Sequence, residues 1–63
     1  MYTLQIESLN EQYSDIDNAM EDCFLLYPTA DFSWWNSDKT TSWIDIYRSS
    51  TDKTIIGRII EVN

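Results

Sequence analysis

The only proline of the chain, Pro28, separates two segments whose apolar residues recur with different periods. Between residues 10 and 26 apolar side chains return at three- and four-residue steps, which is typical of an amphipathic helix. Because proline disrupts a helix interior, Pro28 is expected to end that helix. Beyond it the composition shifts to Trp, Ile, Thr and Tyr, residues that favour strands, with polar clusters between them. The chain is therefore predicted to fold as α+β.

The order of the elements follows from local signals. A first strand is predicted at residues 2–7, where Tyr2, Leu4 and Ile6 alternate with polar residues. Residues 8–11 have the pattern of a capping box, so the helix is predicted to run from about residue 10 to residue 26. Residues 14–17 offer a second helix start. Three more strands are predicted at residues 32–36, 41–48 and 54–62, joined as antiparallel hairpins by short polar turns.

The expected architecture is β-α-β-β-β, a four-stranded, mainly antiparallel sheet with one amphipathic helix packed on one face. At 63 residues the chain is expected to form a single domain with one core. Ile44 and Ile46 are expected to face the helix, because they alternate with Trp43 and Tyr47 along one strand. Both parities of the last strand are apolar, which predicts either a central strand or one covered on both faces, and Gly57 is expected to mark a bulge. The predicted core consists of Leu4, Ile6, Ile16, Met20, Cys23, Phe24, Ile44 and Ile46.

The charge of the chain is concentrated in its first half. Residues 1–31 contain seven Asp or Glu and no Lys or Arg, whereas residues 32–63 contain four acids and four bases, for a total of −7. Phosphate contacts need a basic stripe, so direct binding of nucleic acid is not expected. An anionic membrane surface is disfavoured for the same reason. The natural counterpart is a basic protein surface, towards which long-range attraction would steer the chain.

Several classes of chemistry are excluded by composition. The chain has no His and only one Cys, which leaves no His-based catalysis, no His-containing zinc site and no internal disulfide. Cys23 lies among apolar residues and is expected to be a small core residue. No phosphate-binding or nucleophile motif occurs, so neither an enzyme nor a cofactor or metal site is predicted. The N-terminus lacks the pattern of a secretory signal, and the expected location is the cytoplasm of a bacterial or host cell.

The acidic face of the predicted helix is the leading candidate for a binding site. Like charges four residues apart, as in Glu11 and Asp15, cost a few tenths of a kcal/mol in an isolated helix, so stability alone does not favour such a face. On a helical wheel Glu11, Asp15 and Asp22 form a row ~16 Å long, comparable to a few phosphate steps. Reversing the charge of Asp15 and Asp22 is expected to be tolerated by the fold. The predicted partner-binding residues are Glu11, Asp15, Asp17, Asn18, Glu21, Asp22, Leu25, Trp43 and Tyr47.

The aromatic residues of the sheet form the second candidate site. Trp43 and Tyr47 are expected to point away from the helix, with Trp34 or Trp35 beside them on the preceding strand. Aromatic residues at the centre of a patch often dominate protein interfaces, although cross-strand aromatic pairs also stabilise sheets on their own. An adaptor or homodimer that uses this aromatic face is therefore the alternative hypothesis, in which the helix acids serve solubility.

In size, charge and aromatic content the chain resembles small acidic proteins, often phage-encoded, that occupy the nucleic-acid site of a defence nuclease, restriction enzyme or polymerase. The likeness is compositional and involves no motif. It implies an inhibitor or regulator of the anti-restriction or anti-CRISPR type, which mimics nucleic acid on a basic site of a nucleic-acid-processing protein.

Overall fold

The computed structural model describes residues 1–62 and contains one helix and six strands. The strands are β1 (Tyr2–Ile6), β2 (Leu9–Tyr13), β3 (Asp31–Phe32), β4 (Asn36–Ser37), β5 (Ser42–Tyr47) and β6 (Ile55–Glu61), and the helix α1 spans Ile16–Leu26. The protein is thus a small α+β fold with an antiparallel sheet and one helix, as predicted, but the sheet has six strands instead of four. Within residues 1–62 no helix is long and apolar enough to cross a membrane.

The sheet is built from two antiparallel units. Its order is β2-β1-β6-β5-β3, and β4 also pairs with β5. The hairpin of β1 and β2 joins the β3 to β6 meander where β1 pairs with β6. The last strand is therefore central, as its two apolar faces predicted. A register irregularity opposite Ile46 and Tyr47 leaves Ile56 as an extra residue beside Gly57, which is where a bulge was expected.

The extra strand at the N-terminal side corrects the prediction of a 17-residue helix. Residues 9–13 form β2, which folds back on β1 through the two-residue turn of Glu7 and Ser8. Glu7 has a φ of 53°, a left-handed conformation that non-glycine residues seldom adopt. The expected capping box at residues 8–11 is therefore wrong. Glu7 and Ser8 are not typical of a tight hairpin turn, which Gly, Asn and Asp favour, so the hairpin had no clear local signal.

The helix starts at the second predicted signal. Asp15 is the N-cap, and its carboxylate accepts a hydrogen bond from the backbone N–H of Asp17 at 2.9 Å. At the other end the backbone N–H of Tyr27 donates to the carbonyl of Cys23, and Pro28 follows directly. The helix therefore ends where the proline predicted.

The core lies between α1 and one face of the sheet. Ala19 and Cys23 of α1 are fully buried, and α1 packs mainly over β1 and β2. Ile44 and Ile46 are buried in the same core, which confirms the predicted orientation of their strand. Phe24 was predicted to be a core residue but is 42% exposed. Its ring packs edge to face on the ring of Phe32, outside the cluster of buried residues. The buried apolar residues are Leu4, Ile6, Ala19, Cys23, Ala30, Ile44, Ile46 and Ile59, with Ile16 and Met20 packed against them.

The edge beyond β5 is interrupted, where one continuous strand was predicted at residues 32–36. Phe32 pairs with Ile46 and Asn36 pairs with Trp43, so three residues on this edge oppose two on β5. Ser33 occupies the gap: its N–H donates to the carbonyl of Asp45, and its hydroxyl oxygen accepts from the Asp45 N–H, both at 2.9 Å. A serine side chain therefore replaces a backbone carbonyl of the ladder and splits the edge into β3 and β4.

Candidate partner-binding site

One layer of the molecule, formed by α1, β2 and the turn before β2, carries carboxylates without neighbouring bases. Among residues 1–62 the ion pairs join Arg48 to Asp52, Lys53 to Asp31, and Arg58 to Asp45, and none of them involves a residue of α1 or β2. None of these cations therefore neutralises the carboxylates on α1 and β2. We call this surface the acidic layer; its members are Glu7, Glu11, Asp15, Asp17, Glu21 and Asp22.

The predicted row of carboxylates along one helix is wrong, because Glu11 lies on β2. The fold nevertheless brings Glu11 of β2 and Asp22 of α1 close enough to Tyr13 for the charges of both to act on its hydroxyl. The Tyr13 hydroxyl donates to the Asp22 carboxylate at 2.6 Å and so ties β2 to the helix. This hydrogen bond, partial burial and the charges of Asp22 and Glu11 together raise the pKa of Tyr13 to about 12.

Two of the predicted binding residues also stabilise the fold. Asp15 caps α1, and Asp22 accepts the hydrogen bond from Tyr13. The expectation that the fold tolerates reversal of both charges to Lys stays a prediction, but each change would remove a hydrogen bond as well as a charge, so it would lower stability.

The remaining predicted helix residues are free to meet a partner. Asp17, Asn18 and Glu21 are exposed, and their side chains make no hydrogen bond or ion pair within residues 1–62. Leu25 is 80% exposed and lies near the C-terminal end of the same helix. A surface with free carboxylates beside an exposed leucine can contact a basic and partly apolar partner.

An open groove runs between β2 and α1. One part has a volume of about 430 Å³ and is bordered by Leu9, Glu11, Tyr13, Asp22, Leu25 and Leu26. A second part of about 420 Å³ shares Leu9 and Leu26 and continues towards the turn of Glu7 and Ser8. The groove is thus lined by apolar and aromatic side chains together with the carboxylates of Glu7, Glu11 and Asp22. Leu9, Tyr13 and Leu26 were not predicted as site residues, although the period-two spacing of Leu9, Glu11 and Tyr13 is the signal that places them on one face of a strand.

The aromatic residues on the other side of the sheet are covered by cations. The Arg58 guanidinium lies 5.5 Å from the centre of the Trp43 ring and donates to the Asp45 carboxylate at 3.1 Å. The Lys53 ammonium lies 4.9 Å from the Tyr47 ring and 2.8 Å from the Asp31 carboxylate. The pKa of Asp31 is lowered, chiefly by the hydrogen bond from Lys53. Trp43 and Tyr47 do point away from the helix, but each is half-buried beneath a charged side chain.

Trp34 and Trp35 do not extend this aromatic face as expected. Trp34 lies in the interrupted edge and is 92% exposed. Trp35 packs against Tyr2, with ring centres 6.3 Å apart, and Tyr2 shares the helix-side face of β1 with Leu4 and Ile6. The three tryptophans are therefore spread over different surfaces of the molecule.

The arrangement of metal-ligating and nucleophilic side chains also bears on the sequence predictions. Residues 1–62 contain no group of three His, Cys, Asp or Glu arranged to hold a metal ion. Cys23 is a core residue, as predicted, and burial raises the pKa of its thiol. A buried thiol with a raised pKa is a poor nucleophile.

The site thus combines the carboxylates of the acidic layer, the groove between β2 and α1, and the outer edge of β2. Comparison with models of protein families, with curated proteins and with solved structures finds no match to this chain.

Proposed function

We propose that this protein is an inhibitor or regulator that places its acidic layer on a basic, nucleic-acid-binding site of another protein. It would act there as a mimic of nucleic acid, and a nuclease or restriction enzyme of bacterial defence is the class of partner that we expect. The observation that carries the proposal is the segregation of charge: six carboxylates lie on one layer, while three of the four cations are engaged elsewhere in ion pairs.

Segregated charge favours association over stability. Carboxylates on one layer repel one another, whereas a mixed surface would supply ion pairs as well as solubility. A basic cleft experiences the sum of these charges at a distance, which raises the rate of encounter and makes it sensitive to salt. Such a surface also repels nucleic acid itself, so the protein would compete with nucleic acid for its partner and not bind to it.

The aromatic face supports the alternative of an adaptor or homodimer less well. Binding through Trp43 or Tyr47 would require a partner to displace Arg58 or Lys53 from their rings and carboxylates. Interface residues of this kind usually offer an open aromatic surface at the centre of a patch.

The test is capture of partners from a bacterial lysate at low and at high salt, followed by displacement of a labelled DNA or RNA from each captured protein. Asp17→Asn/Glu21→Gln removes two exposed charges with little change in size. Ser37→Lys/Ser50→Lys raises the net charge by the same amount on exposed positions of the other half, and serves as the matched control. We expect the first variant to associate several-fold more slowly at low salt, and the control to behave nearly as the parent protein.

Two results would contradict this function. In one, the captured partner keeps its nucleic acid when the protein binds. In the other, Trp43→Ala abolishes binding in a folded protein while Asp17→Asn/Glu21→Gln leaves the association rate unchanged, which would establish the aromatic face as the interface.

A further inference from the structure

We infer that the free edge of β2 accepts one added strand from the partner, and that this strand is extended and basic, with apolar side chains entering the groove beside α1. The inference rests on the proposed function, because it specifies how the basic partner docks. The partner would then be recognised by main-chain hydrogen bonds to β2 as well as by charge.

The first support is the regularity of the β2 edge. β2 is the terminal strand of the sheet. Ile6 and Leu9 flank a two-residue turn and are therefore a hydrogen-bonded pair, and such pairs alternate along an antiparallel ladder. The N–H and C=O groups of Asn10 and Gln12 consequently point away from β1. The strand contains no Pro, no Lys and no bulge, three of the devices that protect an exposed edge, and its one charged residue is Glu11.

The second support is the groove that adjoins this edge. Leu9, Glu11 and Tyr13 share the helix-side face of β2, because they pair with Ile6, Leu4 and Tyr2. A strand added outside β2 would place every second side chain on that face, next to the exposed Leu25 and Leu26. Added strands in other proteins gain affinity from the main chain and specificity from such side-chain pockets.

Charge complementarity selects the occupant. Glu11 and Asp22 border the groove, and Glu7 lies at its other end. Suppose that two copies of this chain paired antiparallel through their β2 strands, with the two-fold axis at the middle residue of β2. Glu11 would then lie directly opposite Glu11 of the other copy. Like charges in that position destabilise a sheet. A strand that carries Lys or Arg and apolar residues in turn at every second position would instead place both kinds of side chain on the helix-side face, where the basic residues meet these carboxylates and the apolar ones fill the groove.

The experiment uses the full chain and a synthetic peptide, blocked at both ends, in which Lys and Val alternate at every second position with Thr between them, so that Lys and Val share one face of the added strand. A peptide of the same composition with the Lys and Val residues in separate blocks is the control for charge alone. In the protein, Gln12→Pro removes one outward N–H without removing a hydrogen bond to β1, since proline is tolerated at such edge positions. Gln12→Ala keeps that N–H and removes only the exposed side chain, and is the matched control.

We expect the alternating peptide to bind and to shift the amide resonances of Asn10 and Gln12. Gln12→Pro should weaken binding at least tenfold, whereas Gln12→Ala should change it less than twofold. A peptide N-methylated at every second residue gives the same test without altering the protein, and should also bind at least tenfold more weakly.

Several outcomes would overturn the inference. They are equal binding of the alternating and block peptides, binding that survives both Gln12→Pro and N-methylation, or a dimer of the parent chain that Gln12→Pro dissociates. In the first two cases salt-sensitive capture that depends on Asp17 and Glu21 would leave the proposed function standing. If the peptide binds as expected but the parent protein shows no salt-sensitive capture of a partner, the proposed function is wrong.

Discussion

Substitution of Gly57 by Ala tests the packing that holds the N-terminal hairpin on the sheet. A Cβ atom at this position would lie 2.4 Å from the backbone oxygen of Gln5 and 3.0 Å from the Cβ of Ile6. Both atoms belong to β1 or its core-facing side chains, so the clash cannot be relieved by rotating a surface side chain. The two central strands β1 and β6 would have to move apart or slide.

The expected effect is a loss of stability of about 1–3 kcal/mol, the usual cost of overpacking a core. The sign of the change in stability is informative. At an unstrained position Gly→Ala stabilises a protein by about 0.4–1 kcal/mol, because it reduces the conformational entropy of the unfolded chain. For a domain of this size each kcal/mol lowers the melting temperature by about 4–8 °C. Thermal and urea unfolding followed by circular dichroism measure the change.

Gln5→Ala is the matched control, since it alters an exposed side chain on β1, the strand that Gly57 faces, and should change stability by less than about 0.5 kcal/mol. In Gly57→Ala, hydrogen exchange should accelerate first in β1 and β2, because β1 joins the hairpin to β6. A Gly57→Ala protein that melts at or above the temperature of the parent would refute the packing argument.

Two further predictions concern Asp15 of the acidic layer and Tyr13, which donates a hydrogen bond to Asp22 of that layer. Asp15→Ala removes the N-cap of α1 and should lower the free energy of unfolding by about 1 kcal/mol in urea titrations, whereas Asp17→Ala should have a smaller effect. Tyr13→Phe concerns alkaline stability: the folded state raises the pKa of Tyr13 from 10.0 to about 12, so this stabilisation is present below pH 10 and is lost as the pH rises towards 12. Between pH 10 and pH 12 the parent should therefore lose stability more steeply than Tyr13→Phe, and parallel curves would show that Tyr13 does not hold its proton through Asp22.

The strands after Pro28 were largely predictable because their signal is local. Alternation alone placed Ile44 and Ile46 in the core and Trp43 and Tyr47 on the opposite face, and the structure has the same arrangement. The split of the edge strand was not predictable in this way. It depends on the Ser33 hydroxyl meeting the backbone of Asp45, twelve residues away in the chain.

Residues 8–13 were mispredicted because two patterns overlap there. Tyr13 lies three residues before Ile16 and so extends the helical spacing backwards, while Leu9, Glu11 and Tyr13 also fit the spacing of a strand. Pairing with β1, a tertiary interaction, decides between them.

The candidate site was predictable only in part for the same physical reason. Charge is additive along the sequence, so the acidic half was evident before any fold was known. The groove exists only because β2 folds back beside α1, and no local pattern relates Leu9 to Leu26. The cations that cover Trp43 and Tyr47 likewise come from β6 and the turn before it.

The unlike edges of the sheet also limit how the molecule can assemble. Growth of a filament by edge pairing needs two receptive edges on each subunit, so that every added copy exposes a new site. Here only the β2 edge is regular, since Ser33 divides the opposite edge into two strands of two residues each. A strand added at β2, as proposed, would occupy the regular edge and leave no second regular edge for a further copy of this chain. The protein can keep one edge open for recognition without becoming a template for aggregation.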